Sequence, residues 1–185
     1  VPGQSLAHLI ATMKDENGKV LIDGFYDTVV PLSEFERFEL SKIPDVDRQL
    51  KKELGLAYTE GNGQSINERL LLPSLTIKGL SSGNVGKKKR NVIPNTATAA
   101  IGVRLVKGND PKDMLDKVEA HIRSQGFHIV NDEPDMATRR KYPKIAKVDR
   151  RGSGYIASRT SMEEPNAKAI INAVRAFVGD KLILM

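Results

Sequence analysis

A chain of 185 residues with 39% hydrophobic and 28% charged residues can bury one core, or one core and part of a second. The absence of cysteine excludes disulfides and thiolate metal sites within it, and no apolar run approaches the roughly 20 residues of a membrane-spanning helix. No signal-peptide pattern opens the chain; the absence of cysteine fits a cytoplasmic chain, which is expected, and no membrane partner is expected.

In chain order, Leu6, Leu9, Ile10 and Met13 recur at helical spacing and predict a short helix, which Asn17-Gly18 ends. Val20-Leu21-Ile22 reads as a short strand. Ser33 and Glu36 have capping-box spacing, so a helix starts there and runs toward Pro44. Residues 45–54 read as another helical piece, and 55–64, with Gly61-Asn62-Gly63, as a loop. The block from about 14 to 69 reads as an insertion in a smaller fold.

Leu71, Leu75 and Ile77 then alternate with polar residues and predict a strand, paired across an 83–90 connection with a second strand over 95–106. Asp110 is an N-cap with Pro111 at the first helical position; Met114, Leu115, Val118 and Ile122 form the buried stripe of a helix that Gly126 ends. His128-Ile129-Val130 is a following strand. Residues 135–154 are polar, basic and weakly periodic, and read as linker. Glu163-Glu164 reads as capping for an amphipathic helix that starts at Pro165, presents Ile170, Val174 and Phe177, and closes at Gly179. Residues 181–185 read as a strand. Helix, strand, strand, helix, strand makes the fold class α+β: a split βαβ (ferredoxin-like) two-layer sandwich without its first strand, with an antiparallel sheet and helices on one face.

The second strand holds the most informative residues. Period-two alternation puts Ala97, Ala99, Ile101, Val103 and Leu105 on one face and Arg104 on the other. Asn91-Val92-Ile93-Pro94, with Arg104 thirteen positions after Asn91, then a polar turn and an amphipathic helix, resembles the lid (dimerisation) domain of the carnosinase, aminoacylase and glutamate-carboxypeptidase family of dinuclear zinc peptidases. His8 within Leu6-Ala7-His8-Leu9-Ile10-Ala11, then Ile22-Asp23-Gly24-Phe25-Tyr26-Asp27 and Leu72-Pro73-Ser74-Leu75, are similar to the carnosinase-like dipeptidase branch. Ala157-Ser158-Arg159-Thr160 is similar to the point where such chains return to their catalytic domain.

The resemblance implies a lid and dimerisation domain over 1–134, and a linker with a partial return segment to the catalytic domain over 135–185. It implies a parent zinc-dependent peptidase that forms a homodimer and hydrolyses small peptides, with Asn91 and Arg104 as substrate-binding residues. Asn91 would stabilise charge on the substrate carbonyl, and the planar fork of Arg104 would hold a substrate carboxylate. Carnosinase-like relatives often have Thr where Asn91 stands and carboxypeptidase-like relatives Asn, which leaves an N-acyl-amino-acid amidohydrolase or desuccinylase as the alternative.

A dinuclear site needs several His and carboxylate ligands converging, and this chain has three His, namely His8, His121 and His128, with no close ligand spacing. No metal ligand and no catalytic residue is therefore assigned here, and the chain by itself is expected to be inactive. The formal charge of +6 and Lys87-Lys88-Lys89-Arg90 raise a basic interaction or nucleic-acid-binding module as a different class. No regularly spaced aromatic residues accompany the basic clusters, and Gly86-Lys87 is followed by Lys88 where a phosphate loop needs Ser or Thr, so nucleic acid is not expected as a partner.

Overall fold

The computed structural model describes residues 1–152 and 154–184, apart from the side chain of residue 180. Helix α1 (Pro2–Ala11) opens the chain, with Pro at its first turn, where no hydrogen bond is lost. Leu9 and Met13 turn inward, while His8 is exposed. The expected strand at 20–22 reduces to one antiparallel bridge between Lys14 and Val20. Its side chains still matter: Val20, Ile22 and Phe25 all lie in the core, so this part of the inserted block is integral to it.

Helix α2 (Glu34–Ser41) begins with the anticipated capping box, in which Glu36 N donates to Ser33 Oγ at 3.1 Å and Ser33 N to Glu36 Oε2 at 2.8 Å. Helices α3 (Asp47–Leu54) and α4 (Ile66–Leu70) follow. Ser65 and Glu68 form a second capping box at the start of α4. Lys14 and Arg69 both grip Glu60, at 2.8 and 3.0 Å, and hold its carboxyl below the usual range.

Strands β1 (Ser74–Ser81) and β2 (Thr98–Arg104) form an antiparallel hairpin in which Ser74 pairs with Arg104 and Ser81 with Thr98. The register shifts between Ile77 and Gly79, leaving Lys78 as the extra residue of a bulge. Leu75, Ile77, Ile101 and Val103 face the core near the hairpin root. Beyond the bulge the ribbon overhangs it: Leu80 is exposed although it shares the face of Ile101.

Helix α5 (Pro111–Ser124) is capped by Asp110, which accepts from Asp113 N at 2.9 Å, and it buries Met114, Val118 and Ile122. Strand β3 (His128–Val130) follows. Instead of joining the hairpin, β3 pairs in parallel with β4 (Ile145–Lys147), inside the stretch read as linker, which also contains helix α6 (Met136–Lys141). Strands flanking the crossover helix of a split βαβ unit do not pair directly, so β3 is left to find another partner. Arg150 ties the segment after β4 to α5 through Glu119 and Asp116, each at 2.6 Å. The Asp116 carboxyl is lowered by Lys112 and then Arg150, and that of Glu119 by Arg150.

Helix α7 (Pro165–Val178) forms as expected, but Glu164 at its N-cap makes no side-chain capping bond. Its apolar stripe is open, with Phe177 92% exposed. Gly179–Lys181 is a 3-10 turn, and residues 182–184 form no strand; Met185, the end of the expected strand, lies outside the described residues.

Two predictions follow from the packing. Phe25 is 1% exposed and Phe38 60% exposed. Phe25→Ala should lower stability by about 3 to 5 kcal/mol and Phe38→Ala by under about 1 kcal/mol, read by denaturant unfolding. The second concerns the α1–α5 contact, where Thr12 Oγ1 donates to Leu9 O at 2.7 Å. With its single hydrogen used there, the hydroxyl accepts from His121 Nε2 at 2.9 Å. Burial pushes the His121 imidazole below its ordinary value of 6.5, so the unfolded chain takes up that proton first. Stability should be fully present above about pH 6.5 and decline as pH falls below it, well before the carboxylates titrate. His121→Gln should flatten the melting temperature between pH 7 and 5.5; an unchanged slope would refute the assignment.

Candidate functional site

The hairpin positions both expected substrate-binding residues, at opposite ends. Arg104 is the last residue of β2, exposed, with alternation turning it away from Val103 and the core. Its Nη2 donates to Leu70 O at 2.7 Å, at the end of α4. That bond uses one corner of the guanidinium, and Arg104 has no carboxylate partner among the described residues, so the rest of its fork is free to meet an anion. The α4 anchor is not anticipated in the sequence, where 55–64 reads as loop and 65–69 only as the end of the inserted block; Ser65-x-x-Glu68 is the signal that reveals it.

Asn91 stands in the 82–97 connection beyond the last paired residues, Ser81 and Thr98. Asn91, Val92 and Ile93 are all exposed, so the amide is open to solvent. Thr98 to Arg104 alone spans about 20 Å of extended chain. The structure therefore does not bring Asn91 and Arg104 together within one copy.

Below the root of the hairpin, three chain segments are knotted. Asn109 is buried, accepts from Val106 N at 3.0 Å and donates to Thr28 Oγ1 at 3.0 Å. Val30 N donates to Lys107 O at 3.2 Å, and Lys107 Nζ to Arg159 O at 2.8 Å. Gly108 has φ +99°, and a side chain there would press into the carbonyl oxygen of Thr28. Arg159 in turn donates from Nη2 to Val30 O and Pro31 O, each at 3.2 Å, and its Nε lies 3.4 Å from Glu36 Oε1. That Nε is buried without a hydrogen-bond partner among the described residues, so its link to Glu36 is an ion pair only. Sequence reading singled out Arg159 only as part of the return segment.

The three histidines are far from equivalent and do not converge. His8 is exposed, His121 bonds Thr12, and His128 is stacked on Tyr142 with ring centroids 3.6 Å apart. Among the described residues no group of three or more His, Asp or Glu side chains is placed to hold a metal ion, so the donor set does not fit one.

A family profile, that of the peptidase dimerisation domain, matches residues 2–129. The chain is 28% identical over 126 residues to the Cys-Gly metallodipeptidase of Candida albicans, covering 67% of this chain and 26% of that protein. It is 25% identical over 169 residues to human Beta-Ala-His dipeptidase, covering 87% and 32%. It thus spans about a quarter to a third of the length of these relatives. Among solved structures, an M20 family metallo-carboxypeptidase from Sulfolobus solfataricus superposes with a TM-score of 0.67 at 26% identity, covering 95% of this chain and 36% of that one. Human carnosine dipeptidase 1 shares the fold, with a TM-score of 0.58 at 24% identity over 66% of this chain and 27% of that one. The profile covers more than half of the sequence, including the hairpin and α5, and the protein belongs to the M20 peptidase dimerisation domain family.

Proposed function

We propose that this chain is the lid and dimerisation domain of a zinc-dependent, dipeptidase-like hydrolase of cytoplasmic setting, and that it supplies substrate-binding groups while the rest of the parent enzyme supplies the metal site. The observation that supports this most is the exposed arm, which holds a neutral amide at its tip and a half-free guanidinium at its root. Hydrolysis of an amide develops negative charge on the carbonyl oxygen, which the Asn91 side-chain amide can stabilise as a donor. Arg104 receives the terminal carboxylate of the substrate through two parallel hydrogen bonds. An N-acyl-amino-acid amidohydrolase presents the same two groups, and Asn91 favours keeping it as the second reading.

The separation of the two residues gives dimerisation a chemical reason. A dipeptide is at most about 7 Å long, against about 20 Å for β2 alone. One copy cannot hold both ends of such a substrate. In this reading each site takes Asn91 from one copy and Arg104 from the other, which a two-fold homodimer provides twice.

Two outcomes are expected in the parent enzyme. Arg104→Ala should lower kcat/KM for a dipeptide by roughly ten- to hundredfold, while the C-terminal amide of the same dipeptide loses far less. Stability should change by only about 1 kcal/mol, because no core cavity opens. An unchanged ratio between the two substrates would rule out the carboxylate role. Separately, Asn91→Ala and Arg104→Ala proteins unfolded and refolded together should rise above the activity of either alone, to about a quarter of wild type, since half of the sites in a mixed dimer are intact. Recovery absent despite mixed dimers would disprove the shared site.

A further inference from the structure

We infer that the arm selects substrates by charge, so that the parent enzyme prefers substrates bearing a second carboxylate on the amino-terminal side of the scissile amide. The inference rests on the reading above, in which Asn91 meets the substrate carbonyl. From Ser74 to Arg104 the sequence has Lys78, Lys87, Lys88, Lys89, Arg90 and Arg104 and no Asp or Glu. The hairpin alone thus holds a charge equal to the formal +6 of the whole chain, and everything outside it is balanced. Four of these cations immediately precede Asn91.

What sets the hairpin apart is that its cations have no acidic neighbour in sequence, whereas those of α5 alternate with carboxylates. On α5, Lys112 pairs with Asp116, Lys117 with Asp113 and Arg123 with Glu119. At the arm tip, Lys87, Lys88, Lys89 and Arg90 are exposed and form no ion pair among the described residues. Nor is the tip a formless coil. Gly86–Lys88 is a 3-10 turn in which Lys89 N donates to Gly86 O at 3.2 Å. Gly83, with φ +68°, lets Pro94 close the stem, where an added Cβ would meet Pro94 Cγ at 2.8 Å.

Chain geometry sets the reach of the field. Successive α-carbons are 3.80 Å apart, so the α-carbons of Lys89 and Arg90 lie within about 8 Å of that of Asn91, and their flexible side chains can bring the charges to a distance comparable with the Debye length at physiological salt. The terminal carboxylate of the substrate belongs to Arg104 of the other copy, so these cations act on whatever flanks the carbonyl on the opposite side. A carboxylate there gains attraction that its uncharged isostere does not, and the gain is screened by salt.

The test compares Asp-Ala with Asn-Ala, two dipeptides of nearly equal shape, on the full-length enzyme. The ratio of their kcat/KM values should favour Asp-Ala at low ionic strength and fall by about five-fold on going to high salt. In a K87Q/K88Q/K89Q/R90Q variant the ratio should already be low and should not respond to salt. A ratio independent of salt in the wild type, or unchanged in the variant, would overturn charge selection while leaving the roles of Asn91 and Arg104 standing. Hydrolysis of neither dipeptide would overturn the dipeptidase reading itself, and this inference with it.

Discussion

Everything the hairpin presents depends on one registration, the pairing of fully buried Leu75 with Val103 at its root. Side chains alternate with a period of two, so a slip of one residue would turn Arg104 inward and expose Val103. The core enforces the correct choice: Leu75 packs against the same cluster as Met114, Val118 and Phe25, and a polar group in its place would lose several contacts and its solvation at once. The Lys78 bulge lies above this locked segment, so its irregularity twists the arm without disturbing the root.

Body and arm consequently divide the labour. Burial is concentrated where α1, α5, the hairpin root and residues 20–25 meet, and the arm beyond the bulge contributes little to it. Its residues are available for function because stability does not require them. The knot of Asn109, Lys107 and Arg159 sits on the other side of the root, and it sets how residues after 159 leave the body.

The sequence made the strongly periodic parts readable. The stripe Met114, Val118, Ile122, the Asp110-Pro111 start and the alternation from Ala97 to Val103 each combine a local preference with a buried face, and each formed as expected. Residues 145–147 did not announce themselves, because three residues in a basic stretch give too short a pattern, and β4 exists through its pairing with β3. Val20, Ile22 and Phe25 failed in the opposite way: the apolar pattern was visible, but tertiary packing, without a strand, satisfies it. Arg104 could be placed on a face from alternation alone, whereas its bond to Leu70 O and its distance from Asn91 depend on a fold that no local window contains.

The Arg159 clasp joins residues that lie 128 and 129 positions apart in sequence. The hairpin and the α5–β3 connection close short loops, while this contact closes one that runs over more than half of the chain. The clasp thus fixes the bearing of the segment after Arg159 against the body, and holding so long a loop closed costs more chain entropy than the local turns do.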